Sequence, residues 1–308
     1  MSLALIFPGQ GSQTVGMARA LAASEPLAAE TLRRADEILG FPLTSLMAEG
    51  PEDELTATKN AQPAILAHSV AVLRVVANRL GPVAFTAGHS LGEFTAHVAA
   101  RTMSFEDALT AVRLRGELMY DAGLKRPGAM AAVLGLDDDV ITEVCARVDR
   151  GICVPANFNA PGQVVVSGDV EGIRQLGEIA REAGAKKVVP LDVSGAFHSP
   201  LMEPAAEGLR AYLEEITLRD PEVPVISNVT ARPVTMAAEA RDLLVSQLTS
   251  PVLWSASIAT MLEAGVDRFL ELGPGKVLSG LNKRNAKGVP SLHAGEPDDL
   301  QNIEEIGA

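Results

Sequence analysis

The chain has 308 residues, 47% of them hydrophobic and only 4% aromatic, with a formal net charge of −13. That length allows one large core or two unequal domains, and abundant Ala, Val, Leu and Gly suit helices layered on strands. The negative balance disfavours a general nucleic-acid binder, which needs a basic face for phosphates, and two cysteines, Cys145 and Cys153, are too few for a disulfide framework or a Cys-rich metal site.

The first apolar run, Leu3-Ala4-Leu5-Ile6-Phe7, has no basic residue ahead of it and is too short for a signal segment, so it reads as a strand. Pro8-Gly9-Gln10-Gly11-Ser12-Gln13 follows as a polar loop at a strand's carboxyl end, where open α/β sheets bind ligands. Its Gly-x-Gly lacks a third glycine at dinucleotide spacing, because Thr14 stands there. It therefore reads as a loop offering backbone N–H groups to an anion, not as a cofactor fingerprint. Helical composition runs from Met17 to Leu39 and from Glu52 to Leu80, with Pro63 expected in a first turn. The most apolar long stretch, Ala61 to Leu80, is interrupted by His68, Arg74 and Arg79, so a core helix is expected and not a membrane span. A soluble, cytoplasmic, monomeric protein with free thiols is expected.

Val83 to Ala87 is a short apolar strand leading into Gly88-His89-Ser90-Leu91-Gly92, and Glu93 to Ala100 continues as a helix. This has the form of a nucleophile elbow. A serine stands on a strained strand-to-helix bend, with glycine two residues to either side where the backbones pass too close for a Cβ. Leu91 would then offer its backbone N–H to an oxyanion. Ser104 to Ala122 is a helix with a capping-box start at Ser104 and Asp107. Its two arginines differ: Arg113 has Glu117 one turn ahead, whereas Arg115 lies beside Ala111, Val112, Leu118 and Met119 with no carboxylate on its own helix. A guanidinium in apolar surroundings needs an anion, either a distant acid or a ligand, unless it snorkels to solvent.

After Arg126-Pro127-Gly128 the pattern changes. A strand at 129–136, a helix at 137–148, strands at 151–157 and 163–167, a helix at 169–183 and a strand at 187–193 give the order βαββαβ. That order is a ferredoxin-like unit inserted in the larger domain. Residues 127–194 are thus assigned to a small domain, and residues 1–126 and 195–308 to an α/β main domain with a parallel sheet. In the latter, helices are expected at 201–215, 238–248 and 255–263, strands at 225–227 and 268–272, and a loose acidic tail after Pro297.

A serine nucleophile needs a base. Of the five histidines, His89 precedes Ser90 and points elsewhere, and His97 is about 10 Å along the next helix. His68 sits among apolar residues and His293 in a polar tail. His198 remains, in the small-residue loop Ser194 to Pro200 directly after a strand. Asp192 and Glu271 are both available to orient its ring, and spacing favours neither.

With Gly9-Gln10-Gly11-Ser12-Gln13, Gly88-His89-Ser90-Leu91-Gly92-Glu93, Arg115, Gly195-Ala196-Phe197-His198 and Gln247 in this order, the chain closely resembles the malonyl-CoA:acyl carrier protein transacylases from the first strand to about Leu281. The resemblance implies an α/β-hydrolase-like large domain with the ferredoxin-like insert and an active site between them. It implies Ser90 as the acylated nucleophile, His198 as base, and Gln247 as the residue whose backbone carbonyl holds the imidazole. Gln10 and Leu91 would be the oxyanion-hole donors, Arg115 the clamp on the substrate's free carboxylate, and Phe197 the residue filling the space a 2-methyl group would need. No cofactor is implied beyond malonyl-CoA as substrate. The partner would be acyl carrier protein, met by the basic residues Lys276, Lys283, Arg284 and Lys287, with Lys125, Arg126, Lys186 and Lys187 adding charge near the domain junction. Fatty acid synthesis, a polyketide pathway, malonate decarboxylase and a carrier-protein thioester hydrolase all remain open within this reading.

Overall fold

A computed structural model describes residues 2–303. Among them, a six-stranded sheet runs in the order β10-β9-β1-β2-β7-β8 and a four-stranded sheet in the order β4-β5-β3-β6. The chain begins with β1 (Leu3–Phe7), α1 (Arg19–Ser24), α2 (Pro26–Leu39), α3 (Leu43–Glu49), α4 (Glu52–Thr56) and α5 (Thr58–Val76). It continues through β2 (Val83–Gly88), α6 (Gly92–Ala99) and α7 (Phe105–Lys125). The small sheet comes next, with β3 (Gly128–Leu134), α8 (Asp138–Ala146), β4 (Cys153–Ala160), β5 (Gln163–Asp169), α9 (Val170–Glu182) and β6 (Lys187–Pro190). The chain then returns to the first sheet through α10 (Glu203–Glu215), β7 (Val225–Ile226), β8 (Pro233–Val234), α11 (Ala237–Ser246) and α12 (Trp254–Glu263), ending with β9 (Arg268–Leu272), α13 (Val277–Asn285) and β10 (Ser291–Ala294).

β1 is apolar throughout because it is covered on both faces, as a central parallel strand must be. Successive side chains point to opposite sides. Leu3, Leu5 and Phe7 enter the core packed by α5 and α7, while Ala4 and Ile6 face Trp254, Ile258 and Phe269 on the other side. All pairings in this sheet are parallel except the edge hairpin of β7 and β8. The small sheet is antiparallel throughout. One of its faces, with Ala131, Val133, Val164 and Val166, is covered by α8 and α9. The other, with Met130, Ala156 and Val165, joins the main core, so the small sheet forms a wall against the large one.

The strand-helix order 129–193 is as expected, and several boundaries move. Pro26 breaks the first helical stretch, with Glu25 extended before it, and α3 was not expected at all. Pro63 lies inside α5, beyond its first turn. Proline has no N–H to give the carbonyl four residues back, and that carbonyl, on Lys59, instead accepts from Arg113 Nη1 at 2.9 Å. The strand expected to reach Val193 stops at Pro190, freeing Leu191, Asp192 and Val193 to line a cavity. The polar tail around His293 is strand β10, and residues 297–303 form 3₁₀ turns that bury Leu300 and Ile303. The rest of the acidic tail lies outside the described residues.

His97 on α6 is 1% exposed, and burial lowers its pKa to about 3. The unfolded chain takes up this proton near 6.5 and the folded chain only near 3, so acid favours unfolding between those values, by up to about 1.4 kcal/mol per pH unit. His97→Gln is expected to flatten the fall of Tm with pH over that window, read by thermal melts at stepped pH. An unchanged slope would show that His97 does not contribute.

Candidate active site

The first two strands of the large sheet end side by side, Phe7 paired with Gly88, and the chain bends sharply after each. At the second bend Ser90 has φ 51, in the left-handed region that a serine occupies at a cost of roughly 1–2 kcal/mol. The glycines make the bend possible. A Cβ on Gly88 would lie 1.9 Å from the carbonyl of Gly92, and one on Gly92 would lie 2.2 Å from the carbonyl oxygen of Phe7. Two side-chain amides lock the strained turn. Asn228, just past β7, accepts the Ser90 N–H on Oδ1 and donates from Nδ2 to Gly88 O, both at 2.7 Å, while Gln247 Nε2 donates to Ser90 O at 3.0 Å.

Ser90 Oγ lies 2.8 Å from His198 Nε2. His198 Nδ1 donates to the backbone carbonyl of Gln247 at 2.8 Å, which leaves Nε2 free to accept a proton. Burial first, and then the nearby Arg115 charge, lower His198 to about 3, so its ring is neutral at physiological pH. Asp192 and Glu271 do not orient it. Asp192 stands at the cavity wall, and Glu271 caps α13 by accepting the N–H groups of Leu278 and Ser279 at 3.0 and 2.8 Å. The other histidines are engaged elsewhere: His89 Nε2 meets Asn159 Oδ1 and His68 Nε2 meets Gly295 O, both at 2.8 Å.

Arg115 is 1% exposed and does not snorkel. Nη1 donates to Gln62 Oε1 at 2.7 Å, and Nη2 donates to Gln247 Oε1 at 2.9 Å and Ser90 Oγ at 3.1 Å. Burial lowers its pKa to about 10, against the opposing charge of Glu93, so the guanidinium remains cationic. All three Arg115 hydrogen-bond acceptors are neutral, and the opposing charge that acts on it, Glu93, makes no hydrogen bond to the guanidinium.

These groups open into a cavity of about 320 Å³, to which Gln10, Leu91, Met119, Met130 and Phe197 also contribute. Gly11 spends its N–H on Gln13 Oε1 at 2.8 Å. The N–H groups of Gln10 and Leu91 bond no other described residue. Lys276, Lys283, Arg284 and Lys287 lie exposed at or just beyond the ends of α13, and Arg284 donates to Gln163 Oε1 on β5. Sequence reasoning missed Asn228 and Gln62, and it gave Glu93 no role beyond opening the helix after the elbow. Asn228 carried a usable signal in its place just after a short strand, at the ligand-binding edge of a parallel sheet.

A serine hydroxyl on an elbow, bonded to a neutral imidazole in a cavity that Gln10 and Leu91 also line, is the equipment of an acyl-transferring enzyme. Residues 4–295 match the family described as acyl transferase domain. The malonyl CoA-acyl carrier protein transacylases of Bacillus subtilis (strain 168) and Escherichia coli (strain K12) are 46% and 45% identical, over 97% and 96% of this chain and 95% and 97% of theirs. An acyl carrier protein S-malonyltransferase from Vibrio cholerae superposes with a TM-score of 0.94 at 41% identity, covering 98% of this chain and 99% of that one. A malonyl-transacylase solved in complex with a type II polyketide synthase acyl-carrier protein does so with a TM-score of 0.95 at 40% identity, covering 99% of each chain. The chain belongs to the acyl transferase family.

Proposed function

We propose that this enzyme moves the malonyl group of malonyl-CoA to the phosphopantetheine thiol of an acyl carrier protein through a malonyl-Ser90 intermediate, in fatty acid biosynthesis. The observation that carries the choice of acyl group is Arg115, a buried cation 3.1 Å from the nucleophile. It can grip a carboxylate with two N–H groups, and acetyl offers none. Phe197, in the same cavity, restricts the space beside the acyl chain.

His198 Nε2 takes the Ser90 proton as Oγ attacks the thioester carbonyl. The oxyanion rests on the N–H groups of Gln10 and Leu91. The tetrahedral intermediate collapses, the C–S bond breaks, and CoA leaves as thiol with the proton returned by His198. The carrier's thiol then attacks malonyl-Ser90 by the reverse path, a ping-pong exchange. No redox or electron-sink step occurs, so the chemistry calls for no cofactor, and malonyl-CoA enters as substrate. Ser90, His198 and Arg115 all belong to one chain, which supports a monomer as the working unit. Over the described residues, we assign 2–126 and 195–303 to an α/β-hydrolase-like domain and 127–194 to a ferredoxin-like one, with the cavity lined from both. Among the described residues no helix is long and apolar enough to cross a membrane, and a cytoplasmic location agrees with the unpaired Cys145 and Cys153.

Intact-mass analysis after mixing with malonyl-, methylmalonyl- or acetyl-CoA tests this reading, with Ser90→Ala as control. A malonyl adduct on Ser90 that carrier protein discharges supports it. An adduct lost to water as fast without carrier would make the enzyme a hydrolase. We further assign carrier docking to Lys276, Lys283, Arg284 and Lys287, an exposed basic group on a chain of net charge −13. Charge reversal at Lys283 and Arg284 is expected to raise KM for carrier protein about tenfold at low salt and less at high salt. A salt-independent KM equal to wild type would move the docking face elsewhere.

A further inference from the structure

Glu93 has no task in acyl transfer, yet it lies fully buried beneath the elbow, in the first turn of α6. Its Oε2 accepts from the side chain of Gln247 at 2.5 Å and from the backbone N–H of Asn228 at 3.3 Å. Its Oε1 is buried with no hydrogen-bond partner among the described residues. The residues it gathers are the two that hold the catalytic atoms. Asn228 clamps Ser90 N–H and Gly88 O. Gln247 bonds Ser90 O and Arg115 through its side chain and His198 through its carbonyl.

A carboxylate shut away from water is costly. Its return here is a charge-assisted acceptor, roughly twice as strong as a neutral one, at the point where the supports of nucleophile, base and clamp converge. Resting on the acyl-transfer reading above, we propose that Glu93 is a positioning residue which, through Gln247 and Asn228, sets the Ser90 elbow, the His198 ring and the Arg115 guanidinium in one geometry.

The charged group facing Glu93 is Arg115, from α7; His97 on its own helix and His198 are held neutral. Burial raises Glu93 to about 7, against the bonds from Gln247 and Asn228 and the charge of Arg115. Protonation then weakens both hydrogen bonds as pH falls through neutrality. His198 titrates far lower, near 3, and cannot supply that transition.

The test is single-turnover acylation by malonyl-CoA, followed by intact mass from pH 5.5 to 8.5, for wild type, Glu93→Gln and Asn228→Ala, with a thermal melt of each. The expected result is a wild-type rate that falls several-fold as pH drops through about 7. In Glu93→Gln the rate is about ten- to fiftyfold lower and nearly flat across that range, with the malonyl-CoA concentration at half-maximal rate changed less than threefold. Asn228→Ala, which keeps the backbone N–H that Glu93 accepts but removes the side chain holding Ser90 N–H and Gly88 O, is expected to slow acylation about tenfold. A Glu93→Gln enzyme within twofold of wild type with the same pH profile overturns the proposal. So does a rate loss accounted for by a lost folded fraction, with the neutral-pH transition retained. Should Glu93→Gln fail to fold, an Asn228→Ala enzyme that acylates as wild type does overturns it as well. A wild-type enzyme that never gains the malonyl mass overturns the acyl-transfer reading, and this inference with it.

Discussion

His198→Ala should slow acylation of Ser90 by about 10²- to 10⁴-fold, the usual range for loss of a positioned general base. The expectation rests on the 2.8 Å contact between His198 Nε2 and Ser90 Oγ and on a ring kept unprotonated by burial and by Arg115. A base already charged at neutral pH would contribute little. Because a main-chain carbonyl orients the ring, no substitution at Gln247 removes that bond directly. Gln247→Ala removes the side-chain bonds to Ser90, Glu93 and Arg115 instead. Stopped-flow release of CoA from malonyl-CoA measures the rate, and a His198→Ala enzyme within tenfold of wild type would remove the residue from the mechanism.

Arg115→Ala should lower kcat/KM for malonyl-CoA about 10²- to 10³-fold, in line with breaking a buried charge pair, while acetyl-CoA gains in relative terms. The side chain is also part of the resting site, where it spans Gln62, Gln247 and Ser90, so some loss is expected with either substrate. The ratio isolates the clamp. Malonyl-over-acetyl preference unchanged from wild type would show that Arg115 does not read the carboxylate.

Much of the fold could be read from the chain because its signals were local. β1 and β2 are apolar runs, Ser104 caps α7 with the Asp107 N–H at 3.0 Å as its spacing suggested, and the order of small-sheet elements follows from alternating periodicities. What escaped was set by distant partners. Pro63 is tolerated inside α5 because Arg113, far away in sequence, serves the carbonyl it orphans. β10 exists because β9 offers it an edge, with His293 paired to Glu271. Leu191 to Val193 leave their strand to wall the cavity. The site divides the same way. Ser90 and His198 announce themselves by a motif and a loop, and Arg115 by being a cation among apolar neighbours. Asn228 and Glu93 act only through contacts across more than 100 residues of chain, and nothing beside them in sequence marks that.

The N–H of Ser90 is spent on Asn228, so the elbow has only the Leu91 N–H to give, and under the proposed assignment the second donor comes from the bend after the neighbouring strand. The two assigned donors therefore each lie three residues beyond the end of a separate parallel strand, the two ends aligned by the pairing of Phe7 with Gly88. A slip of one residue between β1 and β2 would displace one donor by about 3.3 Å, more than the length of a hydrogen bond. On that assignment the ladder of backbone bonds deep in the sheet is the ruler that spaces the oxyanion hole.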